Sequence, residues 1–169
     1  YGVVGSSLGV SKGKYYWEVK PFYKNGGNDS ELMIGVTSTF PQSAGHTLGY
    51  YPNDVGYRGN GTKQINNSQT SYGNAYAIND VIGVAMDLDN NKIYFSKNGV
   101  FQDSGDPTSG STGTGAISLT DPDSTERGFY MPSISFVDQT YHAKFHLNMG
   151  LGFLVQLLYH HLQMFLMME

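Results

Sequence analysis

The chain of 169 residues has no cysteine, a single tryptophan and only 14% charged residues. Without cysteine there is no disulfide, no thiolate metal ligand and no Cys nucleophile, and the redox compartment stays open. The ten Lys and Arg are scattered, no two of them adjacent, and the formal net charge is -4. A nucleic-acid site needs a clustered basic stripe that displaces counterions from phosphate, so no nucleic-acid partner is expected. Helix-favouring runs are scarce before position 150. There is no initiator Met and no signal peptide at the start, and Tyr1 begins in mid-pattern, which points to a piece of a longer protein.

What is present is 22 Gly, 13 Tyr and 9 Phe. Aromatic residues separated by Gly- and Asn-rich turns read as an all-β chain, long enough for one domain with a real core. The clearest stretch is DVIGVAMDLDNNKIYFSKNG, Asp80–Gly99. Ile82, Val84, Met86 and Leu88 fall on one face, with Val81, Gly83, Ala85 and Asp87 on the other. Asp89-Asn90-Asn91 supplies turn chemistry, because these side chains tolerate left-handed backbone and bond their own main chain. Lys92–Lys97 resumes the alternation, with Ile93 and Phe95 on the dry face and Lys92, Tyr94 and Ser96 on a wetter one. Asn98-Gly99 closes the second strand of a predicted hairpin.

Other strands follow the same logic. Tyr15, Trp17 and Val19 alternate with Tyr16 and Glu18, and Trp17 reads as a core anchor. Lys24–Ser30 is a polar turn, and Leu32–Val36 is apolar enough for burial on both faces. Short strands are expected at His46–Tyr50, Asp54–Tyr57, Lys63–Ile65 and Ile117–Leu119, then at Tyr130–Phe136 and Tyr141–Leu147. Gly105–Gly115 has no large apolar group and is expected to be poorly ordered, either functional or mobile.

Several of these segments carry a resemblance. Asp80–Gly99 resembles the central hairpin of the SPRY domain, the core of the B30.2 module. GKYYWEVK (Gly13–Lys20), LMIGVTS (Leu32–Ser38), LGYYPNDVGYRGNGTK (Leu48–Lys63), MPSISF (Met131–Phe136) and FHLNMG (Phe145–Gly150) resemble further family segments, in the family's order. The resemblance implies a bent antiparallel β-sandwich of two sheets, of the concanavalin-like jelly-roll type, over residues 1–150 with its first strand truncated. It also implies a non-enzymatic module that binds a partner protein or peptide through loops at one edge.

Carried over by position, that surface takes in Ser30, Tyr50, Val137, Asp138 and Gln139. Tyr57 and Arg58 join them on chemical grounds: Tyr and Arg at a loop surface offer large contact area at little entropic cost. The plainer alternative is that several of the Tyr between positions 50 and 76 cap the core. A carbohydrate-binding or virion-surface module of lectin-like architecture is the second expectation, since Tyr-rich loops suit sugars as well.

Catalytic motifs fail on inspection. Gly5-Ser6-Ser7-Leu8-Gly9 has the spacing of an esterase elbow but precedes a strand rather than a helix. Asp87-x-Asp89-x-Asn91 begins like a calcium loop, yet Lys92 stands where that loop needs Gly and Asn98 where it needs Glu. Asp103, Asp106, Asp121, Asp123 and Glu126 are diffuse, with no strand-borne carboxylate pair. His142 and His146 would lie about 13 Å apart along a strand, too far for one metal. No cofactor, metal or catalytic residue is expected. Three Asn-x-Ser/Thr triplets, at Asn28, Asn60 and Asn66, match chance in an Asn-rich chain.

Residues 151–169 differ from the rest. Leu and Met dominate, and Gln156, His160 and Gln163 form a narrow stripe at helical spacing. Three readings stay open: an apolar helix, a bilayer-inserted segment, or a tail foreign to the fold. Two His and two Gln at the centre argue against a free-standing membrane span.

Overall fold

The computed structural model describes residues 2–39, 45–137, 142–149 and, as backbone alone, 154–158. The strands are β1 (Val3–Gly5), β2 (Lys14–Lys24), β3 (Leu32–Thr37), β4 (Val55–Arg58), β5 (Thr62–Ile65), β6 (Ser68–Ser71), β7 (Ile82–Asp87), β8 (Lys92–Lys97), β9 (Val100–Phe101), β10 (Ile117–Ser118), β11 (Met131–Phe136), β12 (Ala143–Asn148) and β13 (Leu154–Leu158). They form a six-stranded sheet, ordered β1-β11-β3-β4-β5-β6, and a seven-stranded sheet, ordered β10-β8-β7-β2-β12-β13 with β9 beside β8. Neighbouring strands are antiparallel throughout. Helix among the described residues is confined to 3-10 turns of three residues each.

The central hairpin is β7–β8, closed by the pair Asp87↔Lys92. Its turn is built as the Asp and Asn content implies: Asp87 Oδ1 accepts the backbone N–H of Asp89 and of Asn90, each at 3.1 Å, and Asn91 takes a positive φ of 54°. Trp17, Val84 and Phe95 align across β2, β7 and β8. With Val19, Ile82, Met86 and Ile93 they meet Leu32, Ile34, Val36, Tyr57, Ile134 and Phe136 of the other sheet in one core. Each such side chain taken from water stabilises by about 1.5–3 kcal/mol, so the inter-sheet layer is what holds the two sheets together.

Several local expectations are revised by the fold. His46–Tyr50 is a turn, not a strand: Gly49 has φ +81°, and a Cβ there would sit 2.2 Å from the Gln64 carbonyl oxygen. β6 is an extra strand, joined to β5 through Asn66 and Asn67, both at positive φ. The face of β8 expected to be wetter is covered, with Tyr94 and Ser96 each 1% exposed.

Part of that cover is the Gly105–Gly115 segment, which is ordered by hydrogen bonds rather than by apolar burial. Asp106 Oδ1 accepts from Thr108 N and Oγ1, at 2.9 and 2.6 Å. Ser109 Oγ donates to the Asp106 carbonyl and accepts from Thr114 N, at 2.6 and 3.0 Å. Polar groups that bond one another locally make a rigid loop without a core of their own.

At the end of the chain, Leu154–Leu158, for which a helix is one of three open readings, is strand β13, in register Lys144↔Leu158 to Asn148↔Leu154 with β12. The open edge of β12 supplies backbone partners that outweigh a local helical preference. Residues 151–153 and 159–169 lie outside the described residues. No helix among the described residues is long and apolar enough to cross a membrane.

Candidate functional site

The outer face of the six-stranded sheet is set by strand parity. Leu32, Ile34 and Val36 of β3, Val55 and Tyr57 of β4, and Ile134 and Phe136 of β11 point into the core. Their neighbours Met33, Gly35, Gly56, Arg58, Ser133 and Ser135 therefore point outward. Small residues leave room for the segment before β4 to lie on the sheet. Leu48 settles there, fully buried outside the main core, with its N–H donating to Ser135 Oγ at 3.1 Å. A Cβ at Gly56 would come within 3.1 Å of the Leu48 carbonyl oxygen and 2.8 Å of Met33 Cε.

Hydrogen bonds connect three of the expected site residues along this face. Arg58 Nε donates to the Ser30 carbonyl at 3.2 Å, and Arg58 Nη1 donates to Gln64 Oε1 at 3.3 Å. Gln64 Nε2 donates to Thr47 Oγ1 at 3.0 Å, and the Thr47 carbonyl accepts from Tyr50 N at 3.0 Å. Val137 joins the same corner through its N–H, bound to the Glu31 carbonyl at 2.9 Å. Tyr50 is 36% exposed. Its ring stacks on His46 at 4.0 Å, and Tyr51 packs edge-on at 5.3 Å. Arg58 is half-buried, and burial pushes its guanidinium pKa below the ordinary value.

Tyr57 is not on this surface. It is fully buried, its hydroxyl donates to the Asn74 carbonyl, and its ring packs against Tyr72, Tyr76 and Phe95 with centroids 5.1 to 5.5 Å apart. Adjacent strand residues face opposite ways, so Tyr57 and Arg58 cannot both point outward from β4. Burial pushes the hydroxyl pKa of Tyr57 well up, and that of Tyr72 to about 12. Asp138 and Gln139 lie outside the described residues.

Gln64, Thr47 and His46 were not legible as site residues from sequence. The available signal was parity: Gln64 is the one polar β5 residue opposite outward Gly56. Asp54 was missed as well. It is 1% exposed at the foot of the Leu48 segment. Thr37 Oγ1 donates to its Oδ1 at 2.7 Å, and Ser38 N at 3.2 Å. Burial dominates these donors and lifts its carboxyl to about 6.

The opposite sheet has a pocket of about 230 Å³ between Tyr16, Tyr94 and Pro107, with Ala85 and the Lys14–Asp87 ion pair inside it. Tyr15 and Met86 complete its lining. No cluster of three or more His, Asp or Glu suited to a metal occurs among the described residues.

Residues 14–120 match the SPRY domain family, and the chain belongs to that family. SPRY domains are in general protein-interaction modules rather than catalysts.

Among curated proteins, the chain is 38% identical over 94 residues to the ATP-dependent RNA helicase DDX1 of Xenopus laevis. It is 35% identical over 100 residues to protein ssh4 of Neurospora crassa. Those matches take in 56% and 57% of this chain but only 12% and 19% of the relatives. Among solved structures, the SPRY domain of human HERC1 superimposes with TM-score 0.63 at 19% identity, over 88% of this chain and 82% of that one. A second human SPRY domain gives 0.62 at 17%, over 88% and 84%. At such identities the likeness is one of fold.

Proposed function

We propose that this SPRY domain docks a segment of a partner protein on the loop-edged outer face of its six-stranded sheet, without catalysis. Tyr50 and Arg58 are the anchors, and Ser30 and Val137 stand at the rim. Asp138 and Gln139, next in the chain, join the proposal through the family resemblance alone. The observation that carries this reading is the hydrogen-bonded run Ser30–Arg58–Gln64–Thr47–Tyr50. It fixes the Arg58 side chain and the backbone of Tyr50, whose ring is held by His46 and Tyr51, beside the Leu48 segment that covers the small residues of the sheet. Preorganised Tyr and Arg anchors lose little entropy on binding, and such residues carry most of the energy of interfaces.

Site-specific photocrosslinking tests the face. A photoreactive residue at position 51, beside the Tyr50 anchor, should capture the partner, and one at position 16, on the opposite sheet, should not. Tyr50→Ala should weaken the captured complex by about 1–3 kcal/mol with an unchanged melting temperature. Equal capture from both positions, or an affinity indifferent to Tyr50, refutes the placement. Strong binding to a glycan array that is lost in Tyr50→Ala would replace the protein ligand with a sugar.

A further inference from the structure

The cations of this domain are not treated alike. Lys14 pairs with Asp87, Lys24 with Asp29 at 3.3 Å, and Lys97 with Asp80 at 3.2 Å. Lys63 and Lys144 stand over the rings of Tyr72 and Tyr23. Arg58 is different. Both of its acceptors are neutral, a backbone carbonyl and an amide oxygen, and no carboxylate among the described residues pairs with it. Glu31 is near enough to act on it electrostatically. However, the Glu31 carboxylate is committed to Asn28 N at 2.9 Å in a helix capping box.

A guanidinium carries five N–H donors in a planar fork. Two are used, so both N–H groups of Nη2 and one of Nη1 have no acceptor among the described residues. Holding a cation half out of water without an anion costs free energy, which an arriving carboxylate would recover. A lone Arg does not make the basic stripe that a nucleic-acid backbone requires. Its planar fork, set on the same hydrogen-bonded run as the Tyr50–His46 ring pair, fits one carboxylate beside one flat apolar group.

We infer that Arg58 is the receptor for an Asp or Glu side chain in the partner. The partner is an extended peptide segment whose neighbouring residue covers the Tyr50 and His46 rings. This rests on the docking reading above and names its ligand chemistry.

The test is selection of a random-peptide phage library on the intact chain. Winning peptides are resynthesised and measured by fluorescence anisotropy, each with its acid and with the acid changed to the amide. The expected result is a shared Asp or Glu whose amide form binds about 10- to 100-fold more weakly to the wild-type chain. On Arg58→Gln the two forms should bind alike, and Arg58→Lys, which keeps the charge but not the fork, should lose about tenfold. If Arg58→Gln does not fold, the acid–amide pair on the wild-type chain and on Arg58→Lys decides. Peptides that need Tyr50 but bind equally as acid and amide overturn the carboxylate assignment and leave the docking face standing. An empty selection, or winners indifferent to Tyr50→Ala, overturns both.

Discussion

Replacing Asp54 by Asn should stabilise the domain, and the gain should depend on pH in one direction. The carboxyl is buried, and its pKa rises from the ordinary 3.8 to about 6. A proton therefore binds more tightly to folded Asp54 than to the unfolded chain. Its stabilising effect is full below 3.8 and is lost as pH climbs through about 6. At 1.36 kcal/mol per pH unit, ionised Asp54 costs the fold about 3 kcal/mol above neutrality.

Asn keeps an oxygen for Thr37 and Ser38 and carries no charge. Urea titrations at several pH values, followed by the fluorescence of buried Trp17, measure the difference. The variant should match the wild type near pH 4 and exceed it by about 3 kcal/mol near pH 8, a midpoint shift of roughly 1–2 M urea. All other titrating groups are common to both chains and cancel. A difference that stays flat across this range, or that favours the wild type as pH rises, refutes the account of Asp54 as a carboxylate destabilised by burial.

Tyr57→Ala should cost about 3–5 kcal/mol of stability, because it empties a core site shared with Tyr72, Tyr76 and Phe95. Tyr57→Phe keeps the ring and should cost about 1–3 kcal/mol through the unpaired Asn74 carbonyl. Chemical denaturation separates the two, and a Tyr57→Ala chain as stable as wild type would return Tyr57 to the surface. Gly49→Ala should destabilise by more than about 1 kcal/mol, since it combines φ +81° with a Cβ 2.2 Å from the Gln64 carbonyl oxygen. A melting curve unchanged by that substitution would mean that the Leu48 segment is not seated as described.

Legibility in the sequence followed the range of the physics involved. The β7–β8 hairpin was readable because its signals lie within twenty residues: period-2 alternation, then Asp and Asn that hydrogen-bond their own turn. The inward set Trp17, Ile82, Val84, Met86, Ile93 and Phe95 was readable for the same reason. Parity also separates Tyr57 from Arg58. Tyr57 and Arg58 are consecutive on one strand, so only one of them could face a partner. Tyr50 and Arg58 were legible as residue types, but their connection through Gln64 and Thr47 was not, because it joins a loop, β4 and β5.

What the sequence determined by itself was that strands exist, where most of them turn, and which side chains share a face. These follow from backbone sterics and from hydrogen bonds between near neighbours. Only the tertiary structure decided which faces are sealed. Tyr94 is buried because a polar loop ordered by Asp106 and Ser109 lies over its side of the sheet, and Leu48 is buried because Gly56 and Ser135 leave space beneath it. It also decided charge pairing: a carboxylate pairs with Lys14 from 73 residues away, whereas the acceptors hydrogen-bonded to Arg58 are neutral oxygens. Burial and charge pairing depend on which distant segments arrive, and local periodicity carries no record of that.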